Sequence, residues 1–500
     1  MDGIPSEIVA KIFVLCLPET NYIRPHPSTA PILLTHVCSS WRAFAFDLPN
    51  LWTSIHLTDA WKGDALPVLF DEVSSVNQRL LHQAELWNRH SRGRLSSISL
   101  NLAYQHYTQS FISFWHPLVH RVVIENLQTV RHLFIRFNFD YHGLPFYLPD
   151  LEIRNLESLH FVVAENELDH LFPCPTIFSQ APSLRRVILD VPRTGKSRDM
   201  QLPWPQLTHL VLIFETSLSF FYSILQGCLS LERLSINIYN SSNAPVSTAL
   251  IKITKLRDLS FTLLHVENPS FIDTVAFPVL ENFQFFSSNR ISPPQFSWDP
   301  LTPSHWQMLH QLRNLHTLVL GFHEMSGDTL LEVLRLIPHL VELAVDADLG
   351  TYRSFLQGLT YESNPEGDHQ NIVKNLETFR LYMELTGDGR LQPRISDDFS
   401  VILDALLVMV LSRSHSISSP RGEIEENHTA FSEESTAPAH LRNVLLRVDK
   451  EELQESLDEF HTRCQTYPQL SPPNMLFEII CKVDEFNWLV EKVDTWETST

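Results

Sequence analysis

The chain carries 24 histidines, and the pair closest to metal spacing is His116 and His120, on either side of Pro117. Zinc needs three or four N, S or O ligands converging on one point. No further ligand cluster accompanies these two, so they read as partly exposed side chains around the proline. Asp397-Asp398 offers the paired carboxylates that general acid–base chemistry uses, yet the same residues suit the cap of a helix opening near Phe399. Ser419-Pro420 is a candidate phosphorylation site. Cys16, Cys38, Cys174, Cys228, Cys464 and Cys481 lie far apart without a C-x-x-C pair and in apolar surroundings, the pattern of buried thiols in a reducing compartment. Phosphate loops, a G-x-S-x-G elbow, H-E-x-x-H and an EF-hand loop are all missing, and 14 glycines in 500 residues leave little backbone for cradling phosphate. These residues point to no enzyme, no metal and no cofactor.

The bulk properties narrow the partners. A formal charge of -21 without a Lys/Arg cluster argues against nucleic acid and anionic membrane, because phosphate binding needs local positive charge. Met1 is followed by Asp2 and Glu7 instead of a basic leader region. The longest apolar run, Val401 to Leu411, is too short to span a bilayer and contains Asp404. The expected location is cytoplasmic or nuclear. At 44% hydrophobic, the chain has ample material for several cores or for one elongated array.

The elements begin with short helices. Ile4-Pro5-Ser6-Glu7 opens the first, since proline is tolerated in a first turn and Glu7 suits the positive helix N-terminus. Ile8, Ile12 and Leu15 follow at helical spacing, and Pro18 ends the run. A loop with Pro25, Pro27 and Pro31 leads to a second helix carrying Leu33, Leu34, Val37, Cys38 and Trp41. Phe44-Ala-Phe46 and Leu48-Pro49-Asn50-Leu51-Trp52 add a third apolar segment. Val73, Val76, Leu80, Ala84 and Trp87 then mark one face of a helix over 71–90.

Three blocks, Ile4-Pro5-x-Glu7-Ile8-x3-Ile12-Phe13, Val37-Cys38-x2-Trp41-Arg42 and Leu48-Pro49-x-Leu51-Trp52, resemble the F-box in order and spacing. Ile4 stands where that family usually has leucine, and the loop between the first two blocks is long, as in the expanded F-box family of mushroom-forming fungi. The resemblance implies docking on the Skp adaptor of a cullin-RING (SCF) ubiquitin ligase, with Ile4, Pro5, Ile8, Ile12, Val37 and Trp41 at the matching contact positions. The bland alternative is that some of these six only fill a mini-core, since so small a unit must bury most of its aliphatic residues or borrow a partner's surface.

From Leu95 the form Leu-x-x-(apolar)-x-(apolar) recurs, alternating like a strand after its opening residue. Copies open at Leu95, Val130, Leu156, Leu184, Leu207, Leu231, Leu256, Leu280, Leu315, Leu340, Leu376 and Leu441, and the central ones lie 23 to 28 residues apart. That period falls in the range of roughly 20 to 29 residues for leucine-rich repeats. A helix is expected over about Thr329 to Leu336, capped by Ser326 or Asp328. The asparagine usual at the ninth repeat position is found at Asn138, but Glu215, Tyr239 and His323 stand elsewhere, so the repeats are degenerate.

The expected fold class is α/β: an N-terminal helical F-box followed by an irregular leucine-rich-repeat solenoid with a parallel β-sheet on its concave face. The domains would be 1–57 F-box, 58–94 linker helix, 95–449 repeats with a disordered insertion over 413–438, and 450–500 a C-terminal cap. Outward strand positions, including His209, Val211, Arg233, Ser235, Asp258, Ser260, Glu342, Asp346, Arg380, Tyr382 and Arg447, would face solvent there. Arg380, Tyr382, Arg233 and His209 are the candidate substrate contacts. The functional expectation is a non-catalytic substrate receptor of an SCF-type ligase, with the Skp-type adaptor, cullin and an unknown protein substrate as partners. The alternative is a ubiquitin-independent interaction scaffold.

Overall fold

Alternating apolar residues after each opening leucine make one face of an extended chain apolar, and such a face is buried best by stacking strands side by side. The computed structural model has this arrangement. It describes residues 4–58, 70–102, 118–137, 153–163, 176–191, 201–239, 250–264, 274–287, 312–321, 327–346, 352–361, 371–383, 395–414, 441–448, 453–467, 470 and 476–481. His116, Asn138, His323, the Ser419-Pro420 dipeptide, the insertion beyond Ser414 and the segment from residue 482 lie outside these.

The architecture is mixed α/β, an N-terminal helical region followed by a large parallel sheet. The helical region holds α1 (Ser6–Leu15), α2 (Ile32–Val37), α3 (Ser39–Asp47) and a 3-10 turn at Pro49–Trp52. The strands are β1 (Ser54–Thr58), β2 (Ser97–Leu102), β3 (His132–Phe137), β4 (Ser158–Val163), β5 (Arg186–Asp190), β6 (His209–Ser217), β7 (Arg233–Tyr239), β8 (Ile251–Lys252), β9 (Asp258–Leu264), β10 (Val275–Ala276), β11 (Asn282–Ser287), β12 (Thr317–Gly321), β13 (Glu342–Asp346), β14 (Thr378–Met383), β15 (Asn443–Val448) and β16 (Leu476–Cys481). Interspersed are α4 (Phe70–Ser91), α5 (Leu218–Gly227), α6 (Gly327–Arg335), α7 (Tyr352–Leu359), α8 (Ile395–Ser414) and α9 (Gln454–Gln465).

Two compact units divide the described residues: those up to Thr216 with Ser223–Ile236, and Ser217–Tyr222 with those from Asn237 to Cys481. In the first, β1 to β6 pair in chain order, each parallel to the next. In the second, β9, β11, β12, β13, β14, β15 and β16 pair likewise, while β8 and β10 form a separate small parallel pair.

Every strand of the twelve copies starts two residues after its opening apolar residue. The opening residue and the two apolar positions that follow it are at most 3% exposed in every copy. One carbonyl at the second motif position fixes the register: Arg131 O accepts from both Glu157 N (2.8 Å) and Ser158 N (2.9 Å), and Glu377 O from Arg442 N (2.8 Å) and Asn443 N (3.1 Å). Adjacent copies are thereby held in phase, so leucine stacks on leucine.

Several boundaries differ from the sequence expectation. The second helix is two: Cys38 is extended (φ -158°, ψ 172°) and its Sγ accepts from the Trp41 amide at 3.5 Å, so it ends α2 and caps α3. Asp397 and Asp398 lie inside α8, which begins at Ile395 and not at Phe399. Asp328 sits in the first turn of α6 and not at its cap. Arg413 and Ser414 belong to α8 although they were read as the start of the insertion. Arg413 is drawn into the core because its guanidinium has carbonyls to bind there: Leu359 O at 2.9 Å, Val373 O at 3.1 Å and Ile372 O at 2.8 Å. Burial pulls its pKa down to about 10. Val373 carries a positive φ of 46°, a conformation unfavourable for a β-branched residue, and Arg413 ties down its carbonyl.

Candidate functional site

The helical region is anchored to the first unit's sheet by aromatic residues. Trp52 Nε1 donates to Ala45 O at 2.9 Å and Trp87 Nε1 to Ser54 O at 2.8 Å. The two indoles meet edge to face at 4.8 Å, and Phe46 stacks on His90 at 4.3 Å. Arg42 Nε donates to Thr35 O at 2.7 Å, joining α3 to α2. Both indoles are fully buried with their polar atoms satisfied, so these helices are a fixed part of the unit.

On that frame α1 has two apolar stripes. Val9 (5% exposed) and Phe13 (0%) face inward, Phe13 packing on Trp41 at 4.8 Å and on Phe44 at 5.4 Å. Ile8 (46%), Ile12 (45%) and Leu15 (84%) face solvent at steps of four and three, with Ile4 (54%) one turn ahead. In α2, Leu34 is buried while Leu33 and Val37 are exposed. Among the described residues, seven of the thirteen exposed large apolar side chains fall between residues 4 and 37. Scattered apolar side chains are normal on a protein surface; here they are concentrated in one short stretch of chain.

Of the six residues expected at an adaptor contact, Ile4, Pro5, Ile8, Ile12 and Val37 are exposed, and Trp41 is half-buried between core and surface. Pro5 is also the cap of α1, its carbonyl accepting from Ile8 N at 3.0 Å and Val9 N at 3.2 Å. Val14 and Leu33 are exposed as well, outside the six positions matched by the resemblance. The available signal was that α1 is apolar nearly all round, more than one buried face can use.

The sheet face opposite the leucines is less open than expected. Val211, Ser235, Ser260 and Tyr382 were assigned to solvent but are buried, because middle rows of a parallel ladder are flanked at about 4.8 Å on both sides and covered by longer neighbours. Tyr382 therefore offers no exposed ring. Arg380 is half-buried and paired with Glu342 at 2.9 Å. Arg233 and His209 are half-buried on the first unit's strands, with His209 Nδ1 2.8 Å from Thr208 Oγ1.

The described thiols sit in different environments. Burial pushes the Cys228 thiol up to about 12 and Cys464 up to about 11, so neither ionises near neutrality. Hydrogen bonds from Ser40 and the Trp41 amide lower that of exposed Cys38. Among the described residues no group of three His, Cys, Asp or Glu could hold a metal ion, and His120 lies 3.7 Å from Glu125. No described helix is long and apolar enough to cross a membrane. Neither a family model nor a curated protein matches the chain.

Proposed function

We propose that this chain is a non-catalytic substrate receptor of an SCF-type ubiquitin ligase. The helical region acts as an F-box that docks on a Skp-type adaptor, and the strand copies form an irregular leucine-rich-repeat solenoid whose polar sheet face holds a protein substrate. The observation that carries this reading is the exposed stripe of Ile4, Ile8 and Ile12, with Val37 on α2, at the positions of the F-box resemblance. The helices already have a core in Val9, Phe13, Leu34, Ala45 and Trp52, so the stripe is surplus to folding. Burying an aliphatic side chain contributes roughly 1.5–3 kcal/mol when complete; half-exposed ones contribute about half that each on docking, so the stripe supplies the apolar anchor of an interface whose remaining contacts come from around it.

The test is co-purification of adaptor and cullin with the parent chain and with an Ile8→Asp/Ile12→Asp variant. These two positions are cleaner probes than Trp41, whose ring packs on Phe13. Adaptor recovery should fall at least tenfold in the variant. Equal recovery from both proteins would remove the docking claim. Adaptor without cullin would favour the ubiquitin-independent scaffold.

A further inference from the structure

The first unit's sheet carries a recess on its polar face that no part of the adaptor reading uses. Its floor is set by register. His132, Ser158, Arg186 and His209 occupy the same row on four successive strands, β3 to β6, about 4.8 Å apart from strand to strand. One step along the strands the next row has His160, Ile188 and Val211, and Tyr22 from the loop before α2 closes one side. The Tyr22 ring lies 6.3 Å from Phe134, which meets the His160 ring edge to face at 4.5 Å. The loop is pinned there: Ser54 Oγ donates to Asn21 O at 2.6 Å, and His56 N to Ile23 O at 2.8 Å.

Arg186 is the guanidinium that lines this recess. Arg131, Arg257 and Arg442 pair with Glu157, Glu281 and Glu377, and Arg380 pairs with Glu342. Among the described residues no carboxylate or carbonyl is bonded to the half-buried Arg186 guanidinium. A guanidinium presents a planar fork that matches carboxylate and phosphate oxygens two at a time. Beside it, Ser158 offers a hydroxyl and His132 an imidazole. Burial lowers the His132 pKa, Glu157 opposes the shift, and Arg186 and Arg131 add to it, so this ring is a neutral hydrogen-bonding group at neutral pH. Ile188 and Val211 supply an apolar wall next to these polar groups.

We propose that this recess binds an oxyanion carried on a short aliphatic stem, the head group forked by Arg186 and hydrogen-bonded by Ser158 and His132, and the stem lying on Ile188 and Val211. The assignment deepens the repeat-face half of the function above by naming the ligand chemistry of one site on it. It is tested on the full chain without adaptor, so its failure is distinguishable from failure of docking.

The experiment is a ligand-observed NMR titration with n-butyl phosphate, butyrate, inorganic phosphate and butanol. Butyl phosphate or butyrate should bind saturably, and which of them binds tighter tells phosphate from carboxylate as the head group. Arg186→Gln should weaken the tighter anion at least tenfold, and Arg186→Lys should weaken it less. Arg131→Gln, at an exposed and already paired arginine, should leave binding within about twofold, with thermal midpoints verifying that each variant folds. Absence of saturable anion binding, equal binding of butanol, or full affinity in a folded Arg186→Gln variant would each overturn the site. Inorganic phosphate binding as tightly as butyl phosphate would overturn the aliphatic wall.

Discussion

The helical region and the strand array use the same aliphatic residues to opposite ends. In the strands every leucine-type position of every copy is at most 3% exposed, whereas on α1 Ile8 and Ile12 are nearly half exposed. The difference lies in what surrounds them. A strand inside a parallel ladder has a neighbour on both sides and connecting chain over its apolar face, so no leucine is left over. A pair of short helices has one inner face, which Phe13, Leu34 and Trp52 already fill. An apolar position inside the ladder is therefore a stability element, and one outside the small helical core is available to a partner.

Substitutions can break this contrast. The largest effect belongs to the array: Leu210→Ala, at a fully buried copy position, should cost about 3–4 kcal/mol in urea unfolding, and a loss below about 1 kcal/mol would mean that the ladder does not carry the fold. Next is the joint between helices and sheet. Trp52→Phe removes the indole donor to Ala45 O and some buried volume, for about 2 kcal/mol. If thermal unfolding of this variant matched the parent, the helical region would not be anchored as described.

The exposed stripe on α1 should respond in the opposite sense. Ile8→Asp/Ile12→Asp is expected to shift the urea midpoint by less than the equivalent of about 0.5 kcal/mol while adaptor recovery falls at least tenfold. A large stability loss in this variant would place the two isoleucines in the core and erase the contrast.

The smallest effect is a pH dependence within the first unit. Burial lowers the pKa of His56 and His132 from the ordinary 6.5, with Arg24 adding at His56 and the Glu157, Arg186 and Arg131 charges modulating His132. The unfolded chain then binds more protons than the folded one below about pH 6.5, so stability present above that pH is lost as pH falls toward the folded values. Replacing both with Gln should flatten the fall in melting temperature between about pH 6.5 and 5; an unchanged slope would refute the assignment.

Much of the fold was legible because the signal is local. Alternation after each opening leucine marked twelve segments, and each holds a strand that starts two residues on, the first at Ser97 and the last at Asn443. Four described strands lie outside it: β8 and β10, two residues each, pair apart from the ladder, and β1 and β16 have other residues at the opening position, Trp52 and Asn474. The break at Cys38 was hidden because apolar spacing runs on through it from Leu33 to Trp41. At the candidate sites, residue type was readable and environment was not. Ile12 and Phe13 are adjacent and both apolar, yet one is exposed and the other buried. The row of His132, Ser158, Arg186 and His209 is scattered over 78 positions of chain and becomes a site only through register.

By itself, then, the amino-acid order determined where strands run and which of their residues face the core, since a two-residue period imposes that choice on each segment independently. Tertiary structure alone decided which apolar helix stripe stays in water, which sheet-face residues are covered and which of the described arginines meet a carboxylate. Each of these depends on neighbours brought in from distant copies, and no local period encodes them.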